Sequence, residues 1–174
     1  FLYEKGHRTV VFLRNNESDY NRHSGYVVIF RESLLAHAKE LGMTVIESEH
    51  YEADSFDAQH FVSTVFAHPD RPTAIINQAN ASVLSQVLMA LHDAGMSIPQ
   101  DVSVLSCGTY FEGEPTRFPI TEMPVMPEEL CAEAMNLLVS AIEEHTDIKG
   151  SVELIEPALK RRGSVAEAGS GGTI

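Results

Sequence analysis

Ala90-Leu91-His92-Asp93-Ala94-Gly95-Met96-Ser97-Ile98-Pro99-Gln100-Asp101-Val102-Ser103-Val104-Leu105-Ser106 is the stretch on which the fold turns. Its first residues end an apolar-periodic segment that begins near Ser82. Gly95 stops that segment, because a residue without Cβ closes a helix in the left-handed region at least cost. Pro99 bars continuation, and Val102 to Ser106 is a short apolar run of strand character. A helix, a break and a strand therefore follow one another directly.

The same rhythm runs outward in both directions. Upstream, Thr9 to Leu13 is a β-branched run of the kind covered on both faces of a sheet. From Ser24 to Leu41 the apolar residues Tyr26, Phe30, Leu34, Ala38 and Leu41 recur at helical steps, and Gly42 stops them. Thr44 to Ser48 reads as a strand and Asp57 to Ala67 as a helix. Pro69-Asp70-Arg71-Pro72 then breaks into the strand Thr73 to Asn77. Downstream, a loop around Gly113-Glu114-Pro115 leads to an extended piece near Ile120 to Met123. A helix from Pro127 to Glu144 follows, with proline in its first turn and Glu128 and Glu129 at the positive end of its dipole. A last strand is expected at Val152 to Glu156, then the basic Lys160-Arg161-Arg162 and a mobile glycine-rich tail from 167 to 174. Alternating strands and helices predict an α/β fold, a parallel sheet with helices on both faces. Phe1 to Gly6 reads as the last turn of a helix with its glycine stop, as in a fragment of a longer chain.

Among the 174 residues, 25 acids face 12 Lys and Arg, a formal charge of -13. Such a segment repels a phosphate backbone, so any nucleic-acid contact must come from elsewhere. Cys107 and Cys131 form no CxxC pair and stand among apolar neighbours, which predicts reduced, buried thiols and a cytoplasmic protein. No apolar run approaches the roughly 20 residues that span a bilayer, and the first residues do not make a signal peptide.

In open α/β sheets ligands bind beyond the carboxyl ends of the strands. That rule selects Arg14 to Arg22, His50 to Asp54, Asn77 to Asn80 and Cys107 to Thr109. Asn15, Asn16, Ser18, Asp19, Arg22, Tyr51, Asn77, Gln78 and Asn80 can hydrogen-bond a small polar ligand there, and Tyr51 can stack on a ring. Catalytic patterns are missing: no GxSxG elbow, HExxH or P-loop, and no short histidine pair. His37, His60, His68 and His92 read as solvated or capping residues. The chain is therefore expected to be no enzyme and to need no metal or cofactor.

Several phrases together resemble one family. Gly6-His7-Arg8 before the first strand, Arg22-His23-Ser24-Gly25-Tyr26 at a helix start, Pro72-Thr73-Ala74-Ile75-Ile76, the stretch Ala90 to Val104 and Arg162-Gly163-Ser164 occur in the order found in LacI/GalR-type transcription regulators. The resemblance covers about Phe1 to Ala166. It implies the fold of type I periplasmic binding proteins, two αβ lobes with the ligand between them. Residues 1–166 would be mostly the carboxyl-terminal lobe, 120–146 would cross to an absent amino-terminal lobe, and 167–174 would be a tail. The implied partners are a small-molecule effector and operator DNA, the latter through an absent amino-terminal headpiece.

Carried over by position, Arg22 resembles the effector-clamping arginine, whose planar fork holds two hydroxyls or a carboxylate. Ser18 matches a ligand-contacting hydroxyl, Tyr51 an aromatic that packs on the ligand ring, and Asn80 the asparagine of an "ND" pair whose Asp is here Ala81. Gly108 stands where a ligand-binding carboxylate is expected. That loss disfavours a typical pyranose unless Thr109, Asn77 or Glu112 substitutes. The helix from Ser82 carries Val83, Val87, Met89 and Leu91 on several sides, so one side is expected to pack on a second subunit in a homodimer. A solute-binding protein of the same fold, periplasmic or extracellular, is the alternative reading.

Overall fold

The computed structural model describes residues 1–23, 25–52, 55–67, 70–107, 118–125, 127–145, 147–150 and 152–169. In chain order these form β1 (Thr9–Leu13), α1 (Glu17–Asn21), α2 (Gly25–Glu40), β2 (Thr44–Glu47), α3 (Ala58–Val65), β3 (Ala74–Asn77), α4 (Ala81–Asp93), β4 (Ser103–Cys107), β5 (Thr121–Met123) and α5 (Pro127–Glu144). Five strands make one sheet in the order β2-β1-β3-β4-β5. All four pairings are parallel.

Alternation along the strands explains the two-sided core. Val11 and Leu13 of β1, Ile75 of β3 and Val104 of β4 face α3 and α4, meeting Phe61, Val62, Val83, Val87 and Leu91. Val10, Phe12, Ala74, Ile76 and Leu105 face the other way, against Phe30 and Leu34 of α2. The helix stops fall as expected, with Gly42 at φ 67° and Gly95 at φ 75°. The turn over Phe1 to Gly6 closes through Lys5 N–H on the Phe1 carbonyl and Gly6 N–H on the Tyr3 carbonyl.

Several expectations need correction. Val152 to Glu156 forms no strand and does not enter the five-stranded sheet; Leu154 is 88% exposed. Sheet contact comes later, in an antiparallel bridge between Lys160 and Glu122, where the Arg162 Nη2 also reaches Glu122 Oε1 at 2.6 Å. The expected tail is anchored at its start: Lys5 Nζ meets Glu167 Oε1 at 2.8 Å, and Ala168 N–H donates to the Lys5 carbonyl. Residues 170–174 lie outside the described ones. Cys107 is buried, but Cys131 is exposed, as is most of α5.

Helix α4 also differs. Val83, Val87 and Leu91 are all buried under α3 and on the sheet, so its apolar surplus packs within the chain. Met89 alone of those four is exposed, which removes the reason for assigning this helix to a subunit interface.

Candidate functional site

Parallel strands bring every strand-to-helix connection to one edge of the sheet. After β1 the chain enters α1 through Asn16, whose side chain accepts from Asp19 N–H at 3.1 Å and caps the helix. Ser18 lies in this short helix, and Arg22 is its C-cap. Tyr51 follows β2, and Asn80 follows β3. All four thus stand on connections leaving the carboxyl ends of β1, β2 and β3; Gly108 lies outside the described residues.

Their surroundings separate them. Arg22 is exposed, and its guanidinium makes no hydrogen bond or ion pair among the described residues. The acids that could hold it are engaged elsewhere: Asp19 takes the Asn16 amide at 2.9 Å, and Glu17 takes the His50 ring. His23, directly after it, adopts φ 51°, the left-handed region that a residue with Cβ enters at a cost. Ser18 is half-buried with an uncommitted hydroxyl.

Tyr51 and Asn80 are committed to the fold. Tyr51 is 7% exposed, donates its hydroxyl to the Arg14 carbonyl at 2.8 Å and meets the Phe56 ring edge-on at 4.9 Å. Burial raises its phenol pKa well above the ordinary value. It props the end of β1 and lines the cleft between β2 and α3. Asn80 caps α4, accepting from Val83 N–H at 3.0 Å; its amide NH2 has no partner among the described residues.

Three side chains beyond those carried over complete the edge. Arg14, 6% exposed, lies with its guanidinium carbon 4.4 Å from the centre of the Tyr20 ring, and its Nη1 stands 2.9 Å from His50 Nε2. Arginine can only donate, so His50 accepts at Nε2 and donates from Nδ1 to Glu17. That hydrogen bond, first, holds the Glu17 carboxyl below its usual range. Asn77 donates to Ser106 Oγ at 3.0 Å and ties β3 to β4. Gln78 is 5% exposed. The signal for Arg14 was its place immediately after the apolar strand, where parity puts it on the Phe12 face.

Two clefts flank this edge. One, about 380 Å³, lies between β2 and α3 and is walled by Ile46, His50, Tyr51, Phe56, Phe61 and Val65. The other, about 290 Å³, opens between Tyr26, Cys107 and Met123 on the sheet side and Leu130, Ile155 and Pro157 on segments beyond β5. In it the Tyr26 hydroxyl donates to the Cys107 carbonyl at 3.3 Å. Among the described residues no cluster of three or more His, Cys, Asp or Glu could hold a metal ion, and no helix is long and apolar enough to cross a membrane.

The family model for the periplasmic binding protein-like domain matches residues 1–165. The chain belongs to that family. This periplasmic binding protein-like domain shares its fold with a LacI family transcriptional regulator from Bifidobacterium animalis subsp. lactis, at 24% identity and TM-score 0.73, over 96% of the chain and 58% of the regulator. A LacI family putative regulator from Rhizobium etli matches at 20% identity and TM-score 0.69, over 95% of the chain and 59% of its own. A LacI family regulator from Arthrobacter sp. FB24 in complex with lactose matches at 20% identity and TM-score 0.64, over 94% of the chain and 59% of its own. The domain thus spans less than two thirds of each. No curated protein matches the chain. The strand order reverses between β1 and β3, so the topological switch point of the domain lies between Arg14 and Gln78.

Proposed function

We propose that the chain is the effector-sensing domain of a LacI/GalR-type DNA-binding transcription regulator. It binds a small polar molecule, a sugar, nucleoside or similar, without transforming it, and controls operator binding allosterically from the cytoplasm. The observation that carries this reading is the Arg22 guanidinium, a five-donor fork without a partner among the described residues, at the carboxyl edge of a parallel sheet. The lactose bound by the Arthrobacter regulator is the kind of ligand such a fork can grip.

Ser18 adds a hydroxyl from the same helix, and Asn80 offers its amide NH2 once its oxygen has capped α4. The net charge of -13 assigns operator contact to another part of a longer protein. Leu130, Leu138, Val139 and Ile142 are exposed on α5. This apolar face supports a second lobe, reached by residues 120–146, that closes over the ligand.

A thermal-shift screen of sugars, nucleosides, amino acids and sugar phosphates tests the reading. At least one class raises the melting temperature, and Arg22→Ala removes that rise while leaving the unliganded melting temperature within a few degrees. An Arg22→Ala variant that keeps full affinity takes Arg22 out of the site.

A further inference from the structure

Among the described residues, the buried side-chain atoms without a hydrogen-bond partner are Arg14 Nε, Tyr20 Oη, Gln78 Nε2 and Gln78 Oε1. Three residues carry them, and strand register and a ring contact set these residues side by side. Leu13 pairs with Asn77 across β1 and β3, and Gln78 N–H extends the ladder to the Leu13 carbonyl at 2.9 Å. Arg14 and Gln78 therefore leave neighbouring strands toward the same side, the side of Phe12 and Ile76. Tyr20 joins them, its ring 4.4 Å from the Arg14 guanidinium carbon. Folded proteins satisfy nearly all buried polar groups, since each orphan bears its full desolvation cost. Orphans gathered at the switch point of a sheet mark a place where something polar is missing.

The charges nearby narrow what that is. Arg14 already faces Glu17 at 3.8 Å and Glu47 at 3.9 Å, and Glu47 also takes the Arg31 guanidinium at 2.6 and 2.7 Å. Around the buried Arg14 two cations and two carboxylates balance and Arg22 lies outside on the exposed side, so an anion reaching these buried atoms would find no free positive charge there. The fully open valences are the donor and acceptor on Gln78; the Tyr20 hydroxyl interacts with Arg14, and Arg14 Nε stands 3.9 Å from Glu47 Oε2, so these two are only partly open.

We propose that Gln78, with Arg14 Nε and Tyr20 Oη, is the specificity-determining inner wall of the ligand site. It takes a neutral group that donates and accepts at once, a hydroxyl or carboxamide, in preference to a carboxylate or phosphate. The inference rests on the effector-binding reading above. The four atoms are sealed in this structure; α1, which carries Tyr20 and contributes no buried residue, is the element that shifts to let a ligand reach Gln78 and Arg14, and Tyr20 closes on the ligand as the helix returns.

The test is calorimetric titration on the longest natural chain containing this sequence. Glucose, ribose, lactose and adenosine serve as neutral probes, gluconate and glucose 6-phosphate as anionic ones. Wild type binds a neutral probe in preference to the anions. Gln78→Leu, which removes both orphan amide atoms, raises the unliganded melting temperature and weakens that binding about tenfold or more. Tyr20→Phe deletes a single oxygen and weakens it about two- to tenfold, a readout that survives if Gln78→Leu does not fold. Unchanged affinity in both variants means that the cluster holds water alone and overturns the inference while Arg22 stays in the site. Preference for the anionic probes overturns it as well. A wild-type chain that binds no probe of either kind sinks the effector-binding reading and the inference with it.

Discussion

Ser164 and Val104 exchange two hydrogen bonds: Val104 N–H donates to the Ser164 carbonyl at 2.8 Å, and the Ser164 hydroxyl donates to the Val104 carbonyl at 2.6 Å. The same hydroxyl oxygen accepts from Thr121 N–H at 2.7 Å. One buried side chain thus joins β4, the first residue of β5 and the returning chain. Ser164→Ala would strand a buried N–H and weaken a carbonyl's partnership. The expected loss is about 1 to 3 kcal/mol in urea unfolding, and a loss below about 0.5 kcal/mol would show that the junction relaxes around the gap.

His7 predicts a pH dependence. Its ring is buried, with Nδ1 2.8 Å from Thr73 Oγ1 and Nε2 3.1 Å from the Ala166 carbonyl, a pattern that suits a neutral ring protonated at Nε2. Burial, the largest cause, pushes its pKa below 6.5. The unfolded chain then takes up a proton near pH 6.5 that the folded chain refuses. This contribution to stability is complete above pH 6.5 and declines as the pH falls from there toward the lower folded value. Unfolding midpoints across that window should fall more steeply in wild type than in His7→Asn.

The two thiols should differ in reactivity. Burial pushes the Cys107 thiol up to about 12, whereas Cys131 is exposed on α5. A disulfide reagent at neutral pH should modify one thiol quickly in the folded protein, with Cys131→Ser abolishing the fast phase and both thiols reacting in urea. Two fast thiols would mean that the end of β4 opens readily.

Capping and ligand contact at Asn80 can be separated. Asn80→Ala loses the bond to Val83 N–H and should cost about 1 kcal/mol of stability. Asn80→Asp keeps a cap of similar quality but removes the amide NH2. Unchanged stability with weakened ligand binding would assign the contact; unchanged binding would leave Asn80 a cap alone.

The alternation of apolar runs with amphipathic segments, and stops such as Gly42 and Gly95, were enough to specify a parallel α/β sheet. Those signals are local: period, glycine and proline report on the backbone of their own neighbourhood. Parallel strands alone then place Ser18, Arg22, Tyr51 and Asn80 on connections at one edge. Which of them remain available was a tertiary matter. Tyr51 turned inward because Phe56 and the Arg14 carbonyl were there to receive it, and Arg22 stayed open because Asn16 and His50 had claimed the nearby acids. Val152 to Glu156 has a strand's composition, yet a strand exists only where a neighbour completes its hydrogen bonds. The meeting of Arg14, Tyr20 and Gln78 depends on the register of β1 against β3, a relation between distant residues that no local pattern contains.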